Sequence, residues 1–150
     1  GIPQFLPSSI RNWGVDFDGD GQVDLAASTL DAIGSVANFL ASHGWETDSP
    51  IAAPASVTGE RFAELINAGI LPRFLPEEMT AYGVSPAADA PQLPCALIDL
   101  GTPSGTTEYW LGYRNFYVIT RYNRSSFYAM AVYLLSRELR REREARLATR

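Results

Sequence analysis

The chain has 150 residues, of which 46% are hydrophobic and 19% are charged. That composition excludes disordered and collagen-like proteins and fits one globular domain, with room for a small inserted lobe. The formal net charge is −5, and half of the twelve basic residues, all of them arginine, lie within residues 136–150. Because this basic stretch is too narrow for a nucleic-acid-binding face, no nucleic-acid partner is expected.

Cysteine content and hydropathy set further bounds. The single cysteine, Cys95, cannot form an intrachain disulfide, so it leaves the compartment open. No apolar run approaches the roughly eighteen residues that a membrane span needs, and no signal peptide is visible, so no transmembrane segment is expected. The chain begins at Gly1 without a methionine, and we therefore expect it to be a processed or excised piece of a longer protein.

Residues 1–12 read as a loop that leads into a short helical turn, and three alternating aspartates follow it. Asp16, Asp18 and Asp20 occupy the first, third and fifth positions of an EF-hand-type calcium loop. Gly21 lies where such a loop turns sharply, and Gln22 lies where a backbone carbonyl joins the ligands. The front half of this segment therefore predicts a structural calcium ion as cofactor.

The back half of the segment departs from the EF-hand pattern. Ala27 stands where a bidentate glutamate normally closes the calcium shell. Three interpretations remain: a longer loop closed by Asp31, a weak calcium site open to water, or a solvated turn without an ion. The sequence also leaves open whether Asp24 or Asp31 completes the calcium shell. We favour the longer loop, because Ser28 or Thr29 can cap a helix that carries Asp31 in its first turn.

That helix is predicted to run for about fifteen residues and to end near Gly44, a natural C-terminal cap. The spacing of its apolar residues predicts one apolar face on this helix. The members of this face are Leu30, Ile33, Ala37 and Leu40.

The middle of the chain reads as a separate lobe. Residues 48–94 are rich in proline, alanine and glycine and contain one amphipathic helix, over about residues 59–68. Residues 95–100 and 106–111 are predicted strands, which residues 101–105 join as a hairpin.

The end of the chain is predicted to be helical. Residues 114–122 alternate like a strand but also present a helical stripe, so the pattern leaves both structures open. Ser125 or Ser126 caps a long closing helix with an arginine- and glutamate-rich, solvated tail. Its apolar face consists of Tyr128, Val132, Leu135 and Leu139.

Three segments together resemble the membrane-bound lytic transglycosylase B family of bacterial cell-wall enzymes. They are residues 1–9 (GIPQFLPSS), residues 15–45, which contain the aspartate loop, and residues 114–132, which contain Arg-Tyr-Asn. The resemblance implies an α+β, predominantly α fold: part of a lysozyme-like core with an EF-hand-like calcium loop and a small antiparallel β lobe. The expected divisions are residues 1–47, 48–112 and 113–150.

The resemblance also implies a substrate and a reaction. Members of the family cleave the bond between N-acetylmuramic acid and N-acetylglucosamine in peptidoglycan glycan strands and form a 1,6-anhydromuramyl end. The implied location is the bacterial periplasm or cell envelope, with a possible lipid anchor on a missing N-terminus. The family's longer calcium loop supports Asp31 as the closing ligand.

The catalytic glutamate of this family precedes the segment that begins this chain, so the resemblance implies that the acid lies upstream, in another part of the same protein. Glu108, beside Tyr109 and Trp110, is the least implausible replacement for this acid within the chain. It is better interpreted as a strand residue that faces solvent. We therefore expect no catalytic residue in this chain and no activity from the chain alone. We also expect the apolar faces of the helices over residues 30–40 and 128–139 to be partly uncovered.

The residues that carry over from the family line its substrate cleft. Gln4 matches a substrate-contacting glutamine, and Tyr122 and Asn123 match the Arg-Tyr-Asn motif beside the catalytic acid. Ser8 and Ser9 are further candidates, although both could be turn or N-cap residues. Amide and phenol groups suit this role because they pair with sugar hydroxyl and N-acetyl groups.

The alternative function is a non-catalytic, calcium-stabilised glycan-binding or interaction module. A dockerin is disfavoured, because a dockerin repeats its calcium loop and this chain has one copy.

Overall fold

The structure is a computed structural model that describes residues 1–149. The chain divides into two compact units, Gly1–Trp45 and Glu46–Arg150. The first unit is helical and contains the aspartate loop, and the second combines a small antiparallel sheet with helices. This mixture agrees with the predicted α+β class. The further boundary near residue 112 stays a prediction.

Two helices frame the aspartate loop in the first unit. Helix α1, Pro7–Trp13, begins with a proline, which is favourable there because the first helical N–H has no partner within the helix. Helix α2, Thr29–Ser42, is capped by Ser28, whose hydroxyl accepts a hydrogen bond from the Asp31 N–H at 3.2 Å. The predicted helical turn, the longer helix and its serine cap are confirmed.

The predicted apolar face of α2 is left partly uncovered, as expected. Leu30 is 52% exposed and Ile33 is 59% exposed. Helix α2 instead turns a partly polar face inward, because Asp31 and Ser35 accept hydrogen bonds from the loop. Hydrophobic periodicity does not detect such a face. Its buried residues are Asp31, Ala32, Gly34, Ser35 and Phe39.

A four-stranded antiparallel sheet with strand order β2-β1-β4-β3 organises the second unit. Strands β3, Ala96–Gly101, and β4, Thr107–Gly112, form the predicted hairpin. Strands β1, Ala52–Val57, and β2, Val84–Pro86, escaped the sequence analysis. Strand β1 is rich in alanine and contains Pro54, both of which argue against a central strand.

The proline is tolerated because β1 changes partners near it. Residues 52–55 of β1 pair with β4, whereas residues 55–57 pair with β2. Pro54 therefore lies beyond the end of the β2 pairing and is flanked by a strand on one side only. The Pro54 carbonyl still accepts a hydrogen bond, from the Ala87 N–H at 3.1 Å.

Both faces of the sheet carry helices. Helices α3, Phe62–Asn67, and α4, Pro76–Met79, contribute Leu65 and Met79 to a core with strand residues such as Leu111. On the opposite face Gly112 lies against Phe116 and Ile98, where an added Cβ would come within 3.0 Å of each. Phe116 belongs to α5, Arg114–Tyr122, so the segment that the sequence left open is a helix.

Helix α6, Ser126–Ala148, closes the chain, and Ser125 caps it by accepting the Tyr128 N–H at 3.2 Å. Only its first turns contribute fully buried side chains. Leu135 is 61% exposed and Leu139 is 63% exposed, as expected for an uncovered apolar face. Within residues 1–149, no helix combines the length and the apolar character that crossing a membrane requires.

Candidate functional site

Asp31 is the centre of the aspartate loop. The residue is 1% exposed, and its Oδ1 accepts hydrogen bonds from the N–H groups of Phe17 at 2.8 Å and Asp18 at 3.3 Å. Its Oδ2 accepts the N–H of Asp24 at 2.8 Å. The bonds from Asp24 and Phe17 lower the pKa of the Asp31 carboxyl and outweigh burial, which raises it. Asp31 is therefore a buried anion that holds both ends of the loop.

Asp16 and Asp18 bring further carboxylates beside Asp31. Asp16 Oδ1 accepts the N–H of Gly19 at 2.7 Å, and Asp16 Oδ2 accepts the N–H of Gly21 at 2.8 Å. Gly21 has a φ of 90°, which confirms the sharp turn predicted there. Asp18 Oδ2 accepts the hydroxyl of the cap residue Ser28 at 2.7 Å. Hydrogen bonds within the loop thus orient these carboxylates.

The position of the loop on α2 depends on two small residues that the sequence analysis missed. The Val15 N–H donates to Ser35 Oγ at 2.9 Å. Phe17 lies directly over Gly34, where an added Cβ would stand 2.6 Å from the Cβ and Cγ of Phe17. Only glycine therefore permits this approach. The signal in the sequence was a glycine and a serine at adjacent positions in the middle of a helix.

The acidic cluster fits a calcium ion. One carboxylate oxygen each from Asp16, Asp18 and Asp31 lies within 4.8 Å of the others. Oxygens that share a calcium ion at about 2.3 to 2.6 Å are separated by no more than about 5 Å. Each carboxylate oxygen has two lone pairs, and Asp31 Oδ2 accepts one N–H bond, so it keeps one lone pair for a cation.

The other predicted ligands lie outside this group of three. Asp20 Oδ1 accepts the N–H of Gln22 at 2.8 Å. Asp24 Oδ1 accepts the N–H groups of Ala26 and Ala27, each at 2.9 Å. The geometry thus favours Asp31 over Asp24 as the residue that closes the loop. The roles of Asp20 and of the Gln22 carbonyl stay predictions.

The predicted substrate residues of the first unit lie at its beginning. Gln4 is exposed and precedes α1. Ser8 and Ser9 lie within the first turn of α1, whose N-cap is Leu6, so neither serine is the cap residue. Ser8 is exposed and Ser9 is half-buried. Their contact with substrate stays a prediction.

Tyr122 and Asn123 form the corner between α5 and α6 in the second unit. The ring of Tyr122 stacks on that of Tyr128, with centroids 6.1 Å apart. Asn123 Oδ1 accepts the N–H of Ser125 at 3.1 Å. The Nδ2 group of Asn123 makes no hydrogen bond to the described part of the chain, so it is available to a ligand.

Asn115 is a buried polar residue that the sequence analysis missed. Its side chain accepts the N–H of Glu46 at 2.9 Å and donates to the carbonyls of Glu46, at 2.7 Å, and Ser49, at 3.2 Å. These bonds fix residues 46–49 to the start of α5, the helix that ends at Tyr122. Asn115 therefore anchors the start of the helix whose other end forms the corner.

Comparison with known proteins identifies the family. Residues 1–137 match the family described as the transglycosylase SLT domain. The chain belongs to this family. The match includes the aspartate loop, Gln4 and the corner at Tyr122 and Asn123, so these features are parts of a transglycosylase SLT domain.

Individual relatives agree with this membership. The chain is 39% identical over 138 residues to the membrane-bound lytic murein transglycosylase B of Escherichia coli K12, which is 90% of this chain and 36% of that protein. The crystal structure of the soluble lytic transglycosylase SltB1 of Pseudomonas aeruginosa matches with a TM-score of 0.83 and 42% identity, over 96% of this chain and 48% of that one.

Two further relatives were solved with bound ligands. Escherichia coli Slt35, in a structure with calcium, matches with a TM-score of 0.70 and 37% identity over 89% of this chain and 41% of that one. Pseudomonas aeruginosa SltB3, in complex with NAG-anhNAM-pentapeptide, matches with a TM-score of 0.69 and 31% identity over 86% of this chain and 35% of that one. The chain thus spans less than half the length of each of these relatives.

Proposed function

We propose that this transglycosylase SLT domain is the C-terminal part of a lytic murein transglycosylase. The whole enzyme cleaves the bond between N-acetylmuramic acid and N-acetylglucosamine in peptidoglycan and leaves a 1,6-anhydromuramyl end. The observation that carries the proposal is the family match over residues 1–137. The complex of SltB3 with NAG-anhNAM-pentapeptide supports the substrate and the anhydro product.

The reaction needs one carboxylic acid that works twice. The acid first protonates the oxygen that leaves with N-acetylglucosamine, and the resulting carboxylate then takes the proton of the muramyl O6 hydroxyl as O6 bonds to C1. A residue in this role has a raised pKa, so that it is still protonated near neutral pH. The oxygen–C1 bond to the leaving sugar is replaced by an O6–C1 bond, and no water is consumed.

We infer that this acid lies upstream of the chain in the same protein. Asp31 is the buried carboxyl among residues 1–149. Its pKa is lowered by N–H donors, which is the wrong direction for a general acid. Glu108 is an exposed strand residue whose Oε2 accepts the indole N–H of Trp110 at 3.3 Å.

The chain supplies groups that contact the glycan. The free Nδ2 of Asn123 donates to a hydroxyl or N-acetyl oxygen, and the ring of Tyr122 presents an apolar face and a phenol to the same substrate. Gln4, Ser8 and Ser9 contribute amide and hydroxyl groups from the first unit. The support for these roles is the family motif together with the exposure of Gln4 and Ser8.

A structural calcium ion completes the first unit. Asp16, Asp18 and Asp31 would hold it, with Asp20 and the Gln22 carbonyl as further ligands, and the ion would neutralise carboxylates that otherwise repel one another. The calcium complex of Slt35 supports this assignment. When bound, the ion would hold the loop on α2.

The cell envelope is the proposed location, because peptidoglycan is the substrate and the Escherichia coli relative is described as membrane-bound. A lipid anchor upstream of this chain would place the enzyme at the membrane. Metabolic labelling with a radioactive fatty acid tests the anchor, since an anchored enzyme carries the label after denaturing electrophoresis.

Product analysis tests the proposed function. The protein that includes the upstream segment is incubated with purified peptidoglycan, and the soluble products are identified by mass spectrometry. Muropeptides one water lighter than the hydrolysis products are expected. Binding to the glycan without any cleavage would instead favour the alternative, a non-catalytic glycan-binding module.

A further inference from the structure

An open groove lies beside β1 and β4, where their pairing ends at Ala55 and Tyr109. Pro54 pairs with Trp110 across the two strands, so both side chains lie on one face. Side chains alternate along a strand, which puts Ser56 and Glu108 on that face as well. The groove has a volume of about 440 Å³ and includes these four residues in its lining.

The indole of Trp110 is held in place by its neighbour. Its Nε1–H donates to Glu108 Oε2 at 3.3 Å. The intervening Tyr109 points to the opposite face, where it meets Phe62 at a centroid distance of 5.3 Å and packs on the core. Trp110 is half-buried and lies outside that core, so part of its ring remains accessible from the groove.

The chemistry of the groove selects a neutral, hydroxylated ligand. Glu108 is the charged residue in the lining, and no arginine contributes, so phosphates and carboxylates would be repelled. An accessible indole face attracts the C–H-rich face of a pyranose ring. Glu108 Oε1 and Ser56 Oγ, which make no hydrogen bond within the described chain, offer acceptors and a donor to sugar hydroxyls.

We propose that this groove, hereafter the Trp110 groove, binds an N-acetylglucosamine unit of a peptidoglycan strand. This inference rests on the proposed glycan substrate. N-acetylglucosamine is favoured over N-acetylmuramic acid because the muramyl residue carries the lactyl-linked stem peptide, whose carboxylates Glu108 would repel. The Trp110 groove shares no residue with the set Gln4, Ser8, Ser9, Tyr122 and Asn123, so it is an additional contact that holds the strand.

The test follows the indole N–H signal of Trp110 by nuclear magnetic resonance. The protein that includes the upstream segment is labelled with ¹⁵N and titrated with chitotetraose, a neutral N-acetylglucosamine tetramer. The chain has three tryptophans, and a Trp110→Phe variant assigns the signal of interest. A saturable shift of this signal is expected. Trp110→Ala should raise the Kd for chitotetraose at this groove about tenfold. Because this variant lacks the indole signal, its Kd is measured from the backbone amide signals of Ser56 and its neighbours.

Variants and a second ligand sharpen the test. Glu108→Gln should weaken chitotetraose binding by about threefold, because a neutral amide is a poorer acceptor than a carboxylate. Phe127→Ala, which removes an exposed ring on α6, is the matched control and should leave the Kd unchanged. A tetralysine peptide that shifts the Trp110 signal when chitotetraose does not would overturn the sugar assignment in favour of a cationic peptide.

The outcome separates this inference from the proposed function. If the Trp110 signal does not shift when chitotetraose is added, and the protein still cleaves peptidoglycan, only the inference about the Trp110 groove is contradicted. A saturable shift in a protein that never cleaves peptidoglycan contradicts the transglycosylase proposal and leaves the sugar site standing.

Discussion

The carboxylate of Asp31 accepts the backbone N–H of Asp24 at 2.8 Å and so ties the first turn of α2 to the end of the aspartate loop. The same carboxylate accepts the N–H of Phe17 at 2.8 Å, near the start of the loop. Hydrogen bonds to one carboxylate therefore join the two ends of the loop.

The first prediction concerns Asp31→Asn. The amide removes the charge and turns an NH₂ group toward at least one of the backbone N–H groups that the carboxylate accepted. Leaving such a donor unpaired costs about 1–3 kcal/mol, so the variant should melt at a lower temperature even with a chelator present. It should also lose the stabilisation that calcium gives, about 2.7 kcal/mol at a hundredfold excess over Kd.

Thermal melts with calcium and with chelator measure both effects. Asp99→Asn, which removes an exposed carboxylate from β3, is the matched control and should respond to calcium as the unmodified protein does. Coincident melts of the unmodified protein in calcium and chelator would contradict the metal assignment. So would an Asp18→Ala variant that still responds to calcium.

The second prediction concerns Gly34→Ala. The added methyl group would stand 2.6 Å from the Cβ of Phe17, and Phe17 lies between the ligands Asp16 and Asp18. The loop must move, so calcium affinity should fall by about tenfold or more, which titration calorimetry measures. Gly101→Ala is the control, because an added Cβ meets nothing within 4 Å there. Equal affinities of the two variants would show that the close approach of Phe17 is unimportant.

The third prediction concerns Asn115→Ala. The substitution removes the partner of the Glu46 N–H and of the Glu46 and Ser49 carbonyls. Glu46 is exposed and Ser49 is half-buried, so water can replace some of these bonds. Urea unfolding should therefore show a loss of about 1–3 kcal/mol. Asn67→Ala, at an exposed position in α3, should change stability by less than about 0.5 kcal/mol. Similar losses in both variants would contradict the role given to Asn115.

The fourth prediction is a loss of stability in alkali. Burial raises the pKa of the Cys95 thiol from 9.0 to about 12 and that of the Tyr113 phenol from 10.0 to about 12. Between pH 9 and 12 the folded state therefore keeps protons that the unfolded state releases, so the free energy of unfolding falls as pH rises. Below pH 9 both states are protonated at these groups, and the two contribute no pH dependence.

Urea midpoints measured across this range check the fourth prediction. Cys95→Ala should have a shallower alkaline slope than the unmodified protein, whatever its absolute stability. A slope that Cys95→Ala leaves unchanged would show that the thiol does not titrate as its burial requires.

Much of the fold was predictable because local chemistry determines it. Ser28 and Ser125 cap helices as predicted, and the hairpin of β3 and β4 follows from two apolar runs around a Gly-Thr-Pro-Ser-Gly turn. Tertiary context decided the rest. The alanine-rich β1 is a strand only because β4 and β2 flank it, and residues 114–122 are a helix because Phe116 packs behind Gly112.

The candidate site was predictable in part. The alternating aspartates identified the loop, and Asp31 was favoured from its place in the first turn of a capped helix. The supporting contacts were not accessible from sequence, because Ser35 and Gly34 act through the loop that folds onto them. Asn115 likewise acts on residues 46–49, far away in the chain, and no spacing rule connects the two.

Release of muropeptides by two proteins tests the central claim most directly. One is this 150-residue chain, and the other is extended upstream through the segment proposed to carry the catalytic glutamate. The extended protein should release 1,6-anhydromuropeptides from peptidoglycan. The chain alone should be slower by at least about two to four orders of magnitude, the usual contribution of general acid catalysis. Comparable rates would contradict this account and would mean that a carboxylate within the chain, with Glu108 the first candidate, is the catalyst.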